Sequence, residues 1–233
     1  MHLLFDLDGT LTDSRPGIVA SMRSALEALG HEVPSDDALT RFIGPPTHVA
    51  FRELLSTGDG ELLDRAVALY RERFARIGMF ENSVYPGVRE GLQSLADAGF
   101  RMWVATSKPL VYAEKIVEHF GLRPFFVRVF GSELNGARGD KADLIADLLA
   151  TEGLSTQGIW MIGDRQHDVV GAHKNAIHAA GVLWGYGTRA ELETAGADAI
   201  FASMADLVRA FERHAPASEA VTWPGRATPP PEP

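Results

Sequence analysis

Asp6 and Asp8 stand one residue apart where the apolar run Leu3-Leu4-Phe5 gives out, and the chain turns at once through Asp8-Gly9. The run reads as a buried strand and the Asp-Gly pair as its exit turn. Carboxylates buried without partners are costly. Acids in these positions either stay solvated at a strand end or hold a cation and do chemistry. In the chemical reading one is a nucleophile and the other a general acid/base, with a cation between them.

Polar residues recur where later apolar runs end. Thr106 and Ser107 close the run at 101–106, with Lys108 next; Lys141 opens a helix; the run at 158–163 leads into Asp164 and on to Asp168. If these ends converge, they assemble four carboxylates (Asp6, Asp8, Asp164, Asp168), one or two hydroxyls and an ammonium. Four carboxylates cannot sit together unneutralised. Mg²⁺ takes oxygen ligands and suits one or two carboxylates plus a substrate phosphate. Lysine and hydroxyl groups suit the other phosphoryl oxygens, and phosphoryl transfer needs positioning and charge neutralisation above all.

The elements that must position these residues follow from periodicity. Ser14-Arg15-Pro16 starts a helix that runs to Gly30, and 36–56 reads as helical pieces broken by Gly44-Pro45-Pro46. Leu63, Ala66, Val67, Tyr70, Phe74 and Ile77 make an apolar helical stripe that ends at Gly78. No strand is expected between about 15 and 83, so 15–83 reads as an inserted all-helical cap. From Pro86 onward, helices at 86–98, 109–120, 141–152, 168–175, 189–195 and 203–213 alternate with strands at 101–106, 127–131, 158–163 and 177–183. Asp140 is the expected cap of the third of these helices. This alternation predicts an α/β fold, a parallel sheet with helices on both faces, formed by 1–14 and 84–213. Such sheets carry their sites at the carboxyl ends of the strands. Residues 214–233 are Pro- and Ala-rich and read as a disordered tail.

Composition sets the bounds. The 233 residues suit one domain with an insertion or two small ones, and 45% hydrophobic content allows a sizeable core. The absence of cysteine excludes a disulfide framework, a thiolate nucleophile or a cysteine-bearing zinc site. A formal charge of −9 makes a poor binder of nucleic acid polymers. No apolar run reaches membrane-spanning length and no secretory signal is expected, so the expectation is a cytoplasmic protein acting on a small phosphorylated metabolite, off the membrane.

Phe5-Asp6-Leu7-Asp8-Gly9-Thr10, Thr106, Lys141, and Gly163-Asp164 through Asp168 resemble, in order, the four motifs of the haloacid dehalogenase-like hydrolase superfamily. The resemblance covers about residues 1–213 and implies a Rossmann-like core with a C1-type helical cap. Phe42-Ile43-Gly44-Pro45-Pro46, Ala105-Thr106-Ser107-Lys108-Pro109 and Gly185-Tyr186-Gly187 look like its phosphoglycolate phosphatase-like branch, which includes 5′-nucleotidases. By resemblance, Asp6 is the nucleophile and a Mg²⁺ ligand, and Asp8 is the general acid/base with its backbone carbonyl on the metal. Thr106, Ser107 and Lys141 hold phosphoryl oxygens, and Lys141 also neutralises Asp6. Asp164 ligates Mg²⁺, and Asp168 supports it directly or through water. Gly44, Pro45 and Pro46 form a cap loop that reads the leaving group. The expected activity is Mg²⁺-dependent hydrolysis of a small phosphate monoester through an aspartyl phosphate, with phosphoglycolate first and a nucleoside 5′-monophosphate second. A sugar phosphomutase of the same superfamily and a non-catalytic metal- or phosphate-binding module are the alternatives.

The remaining signals read as structure. Lys108 is taken as solvated near a helix start, and Arg165 and His167 as loop residues rather than metal ligands. Tyr70 and Phe74 are taken as cap core. Gly185-Tyr186-Gly187 begins like a dinucleotide fingerprint, but position 190 is Ala and no tight helix start follows a first strand.

Overall fold

The apolar run at the start of the chain becomes the centre of a six-stranded parallel sheet. The computed structural model describes residues 1–213, so the expected tail lies outside the described residues. In chain order the elements are β1 (His2–Phe5), β2 (Thr12–Asp13), α1 (Arg15–Ala28), α2 (Asp36–Thr40), α3 (Thr47–Leu54), α4 (Gly60–Arg73), β3 (Ser83–Val84) and α5 (Val88–Asp97). Then come β4 (Arg101–Pro109), α6 (Leu110–His119), β5 (Val129–Ser132), α7 (Lys141–Glu152), β6 (Ile159–Gly163), α8 (Gln166–Lys174), β7 (His178–Val182), α9 (Arg189–Ala195), β8 (Ala199–Phe201) and α10 (Met204–Glu212).

The strand order is β5-β4-β1-β6-β7-β8. β1 lies between β4 and β6 and pairs with both in parallel, Phe5 opposite Val104 and Ile162. The chain leaves β1 toward β4 on one side and returns to β6 on the other. The carboxyl end of β1 is therefore the topological switch point, where such sheets open a crevice. Side chains alternate across the sheet. Leu3 and Phe5 join a core with residues of α5, α6 and α10, whereas Leu4 joins a second core with residues of α7 and α8. Asp140 caps α7 as expected, its carboxylate accepting the N–H groups of Ala142 and Asp143 at 2.8 and 3.4 Å.

The helices between β2 and β3 pack on one another through Phe51, Tyr70 and Phe74, with Tyr70 stacked on Phe74 at 5.4 Å. α4 ends in a π turn, Phe74–Gly78. Several expectations need correction. The helix foreseen from Pro86 begins at Val88, because Gly87 takes the cap position at φ 77°, a left-handed conformation that suits glycine. The helix foreseen from Asp168 begins at Gln166, which puts Asp168 inside the first turn. β4 runs three residues further than foreseen. β8 and the two-residue ribbon β2–β3 were not foreseen, and the ribbon joins the two chain passages at the foot of the helical segment. No helix among the described residues is long and apolar enough to cross a membrane.

Candidate active site

Every charged side chain buried among the described residues is at the carboxyl edge of β1, β4 and β6: Asp6, Asp8, Lys108, Lys141, Asp164 and Asp168. Asp6 directly follows β1, its N–H donating to the Ile162 carbonyl of β6 at 2.9 Å. Lys141, the first residue of α7, donates to Asp6 Oδ1 at 2.8 Å and to the Ala105 carbonyl at 2.9 Å, and its Nζ is also 2.8 Å from Asp168 Oδ1. Burial alone would lower the Lys141 pKa. The charges of Asp168 and Asp6 outweigh it and hold the ammonium well above the usual lysine range.

Asp164 sits in a backbone cradle. Thr10 Oγ1 donates to its Oδ1 at 3.3 Å and the Tyr186 N–H to its Oδ2 at 2.7 Å. A Cβ on Gly9, at φ 89°, would lie 2.4 Å from Asp164 Oδ2, and one on Gly187 would lie 1.8 Å from its backbone carbonyl oxygen. Only hydrogen side chains admit this approach. Asp168 accepts the Arg165 N–H at 3.2 Å from the first turn of α8. Burial first, then the charges of Asp168 and Asp6, push the Asp164 carboxyl well above its ordinary range. Burial, opposed by Lys141 and reinforced by Asp6, pushes Asp168 up to about 6.

This arrangement suits a hard dication. Asp6, Asp164 and Asp168 each offer a carboxylate oxygen, all within 4.8 Å of one another. With all four buried carboxylates ionised, the two buried ammonium groups would leave two negative charges uncancelled. An all-oxygen donor set with that excess fits Mg²⁺. The Asp8 carboxylate is not in the trio: its Oδ2 lies 2.6 Å from Lys108 Nζ, and its Oδ1 is buried without a partner.

A small pocket of about 20 Å³ is lined by Asp6, Asp8, Thr106, Ser107, Lys141 and Asp168, together with Gly44. A cavity of about 230 Å³, lined by Asp8, Gly44, Pro45, Pro46, Tyr70 and Phe74 among others, shares Asp8, Gly44, Ser107 and Lys108 with it. The structure thus brings the expected site residues to one place. Thr106 is buried and Ser107 half-buried.

Two readings change. Lys108 is not solvated; it is buried against Asp8. Its signal was Pro109, since proline inside a strand marks a bulge. Arg165 is more than a loop residue. Its Nη1 donates to the Ile43 carbonyl at 2.6 Å and its Nε to Glu191 at 2.9 Å, which ties the loop before Gly44 to the β6–α8 turn. His167 lines the small pocket but is outside the carboxylate trio. Tyr70 and Phe74 are core residues, as expected, and also cavity wall.

Residues 3–182 match the profile of the haloacid dehalogenase-like hydrolases, and the chain belongs to that family. It is 42% identical over 213 residues to a 5′-nucleotidase of Pseudomonas aeruginosa, covering 91% of this chain and 96% of that one. It is also 42% identical over 185 residues to the tyrosine-protein kinase PtkA of Mycobacterium tuberculosis, covering 79% of this chain and 62% of that protein. Among solved structures, that of a predicted phosphatase from Clostridium acetobutylicum superposes with a TM-score of 0.87 at 40% identity, covering 91% and 98% of the two chains.

Proposed function

We propose that this hydrolase is a Mg²⁺-dependent phosphatase that removes the phosphoryl group of a small monoester through an aspartyl phosphate on Asp6. The observation that carries the reading is the placement of Asp6. One of its oxygens is fixed by Lys141, it lies in a buried site with two excess negative charges once all four carboxylates are ionised, and a cavity for a small leaving group adjoins it. Bound at Asp6, Asp164 and Asp168, Mg²⁺ would cancel that excess and let a dianionic ester approach a carboxylate. Asp6 attacks phosphorus as the ester bond breaks, and Asp8 gives its proton to the leaving oxygen. Asp8 then takes a proton from water as the water oxygen bonds phosphorus and the Asp6–phosphorus bond breaks. Thr106, Ser107 and Lys141 steady the phosphoryl oxygens.

Residues 15–83 act as a cap on the core in this reading, with 13–17 and 80–86 as hinges and Gly44-Pro45-Pro46 over the ester. Closure excludes bulk water during phosphoryl transfer. A nucleoside 5′-monophosphate moves ahead of phosphoglycolate as substrate. The cavity next to the phosphate pocket is far larger than a glycolyl group, Phe42, Tyr70, Phe74 and Tyr112 on its wall suit a flat ring, and the P. aeruginosa relative carries the name 5′-nucleotidase.

The test is phosphate release over a panel of small phosphate esters, with Mg²⁺ and with EDTA, beside Asp6→Asn. We expect turnover that requires Mg²⁺ and falls at least about 10³-fold in Asp6→Asn. Undiminished turnover in that variant would falsify the nucleophile assignment. A rearranged sugar phosphate in place of free phosphate would identify a mutase.

A further inference from the structure

Lysine is rarely buried, yet Lys108 is only 9% exposed, and the strand departs from regularity to bury it. β4 pairs Thr106 with Gly131 and then Pro109 with Ser132, so two residues of β4 bulge out between adjacent partners on β5. A bulge re-aims the side chains it contains. β5 is shaped to accept this one. A Cβ on Gly131 would lie 2.7 Å from the Lys108 carbonyl oxygen, and Ser132 Oγ donates to the Ser107 carbonyl at 2.8 Å. The Lys108 N–H donates to Thr106 Oγ1 at 3.3 Å.

The ammonium reaches two targets. Its Nζ is 2.6 Å from Asp8 Oδ2 and 4.6 Å from the centre of the Phe74 ring. A ring face attracts a cation, more strongly once water is excluded. Phe74 is itself fixed, stacked on Tyr70 and edge-on to Tyr112 at 5.4 Å each. It opens the π turn after α4, a device often found where a helix must place a functional side chain. Lys141 is already engaged by Asp6, Asp168 and the Ala105 carbonyl.

We propose that Lys108 is a positioning residue for Asp8: its ammonium, clamped under the Phe74 ring, holds one carboxylate oxygen and leaves the other free to exchange a proton with the ester oxygen. The proposal rests on the phosphatase reading. Asp8 lines both the small pocket and the larger cavity, so the residue stands at the border between phosphoryl group and leaving group, and its Oδ1 has no hydrogen-bond partner. Lys108 forms no bond and gives up no proton in either half of the reaction. Phe74 comes from the helical segment, Lys108 from β4 and Asp8 from the turn that follows β1. The clamp therefore exists only when helical segment and sheet pack together, which couples the geometry of Asp8 to cap placement.

The test is acid-quenched single-turnover phosphorylation with Mg²⁺ present, using AMP and p-nitrophenyl phosphate. The alkoxide leaving from AMP needs a proton; p-nitrophenolate hardly does. For Lys108→Met we expect phosphoenzyme formation to fall about 10²-fold with AMP but less than about fivefold with p-nitrophenyl phosphate, with KM nearly unchanged. Lys108→Arg should recover most of the AMP rate. Phe74→Leu should show the same ester-selective loss at smaller size. The ratio of the two esters within one variant does not depend on how much of that variant folds. Equal losses for both esters, a rise in KM with kcat unchanged, or wild-type rates in Lys108→Met would overturn the assignment. Wild-type protein that forms phosphoenzyme from neither ester would overturn the phosphatase reading itself, a result distinct from normal wild-type rates with an unaffected variant.

Discussion

Asp164 owes its position to residues that have almost no side chain. Gly9 and Gly187 let backbone come within contact of it from two sides, and the Tyr186 N–H completes the cradle. Gly187→Ala would drive a Cβ into the Asp164 carbonyl oxygen. We expect about 1–3 kcal/mol lost by overpacking, seen in thermal unfolding, together with weaker Mg²⁺ binding by titration. Full Mg²⁺ affinity in a destabilised variant would show that the cradle serves folding alone. The carboxylates Asp6, Asp8 and Asp164 were legible in the sequence because acids at the ends of apolar runs have few structural uses. Lys108 and the Gly185-Tyr186-Gly187 stretch were not. The direction of Lys108 is set by Gly131 and Ser132 on the next strand, and the task of Gly187 is set by a neighbour distant in sequence. Pro109 marks a bulge but not the direction in which Lys108 leaves it, and local pattern carries nothing of the neighbour that Gly187 meets.

At the scale of elements, the long helices and central strands follow from apolar spacing and from caps such as Asp140. Elements too short for a period to develop do not: β2 and β3 have two residues each and β8 has three. These pieces exist because tertiary neighbours complete them. β2–β3 ties the two passages between helical segment and sheet, and Gly17 packs close beside it. The Gly17 N–H donates to the Glu81 carbonyl at 3.0 Å, and a Cβ on Gly17 would fall 1.8 Å from the Gly78 carbonyl oxygen. The Arg165 bond to the Ile43 carbonyl is a second tie, made at the mouth of the site. Removing it with Arg165→Ala frees the Gly44-Pro45-Pro46 loop from the β6–α8 turn. A hydrogen bond to a charged donor is worth about 1.5–3 kcal/mol, so we expect KM for AMP to rise roughly tenfold or more while the single-turnover rate at saturation falls far less. An unchanged KM would mean that the tie does not hold the loop for substrate.

For the molecule as a whole, the acidic net charge matters less than where the buried part of it sits. Burial first, then their acidic neighbours, raise Asp164 well above the usual carboxylate range; burial, only partly countered by Lys141, raises Asp168 to about 6. In the unfolded chain both return to about 4. The native state therefore binds more protons than the unfolded state from about pH 4 upward through these raised values, and its stability falls as pH rises across that window. Asp168 therefore contributes a share of stability that is present at low pH and lost as pH rises through its raised value. A dication held by Asp6, Asp164 and Asp168 takes the place of those protons, and it binds more easily as they leave. In EDTA, the melting temperature should drop between pH 5 and pH 7.5. Saturating Mg²⁺ should recover most of the loss at pH 7.5 and add little at pH 5, and Asp168→Asn should flatten the metal-free profile. Calorimetry at the two pH values decides it: a Mg²⁺ effect of equal size at both, or a metal-free protein more stable at pH 7.5, would mean that the buried acids are already neutralised by the chain itself.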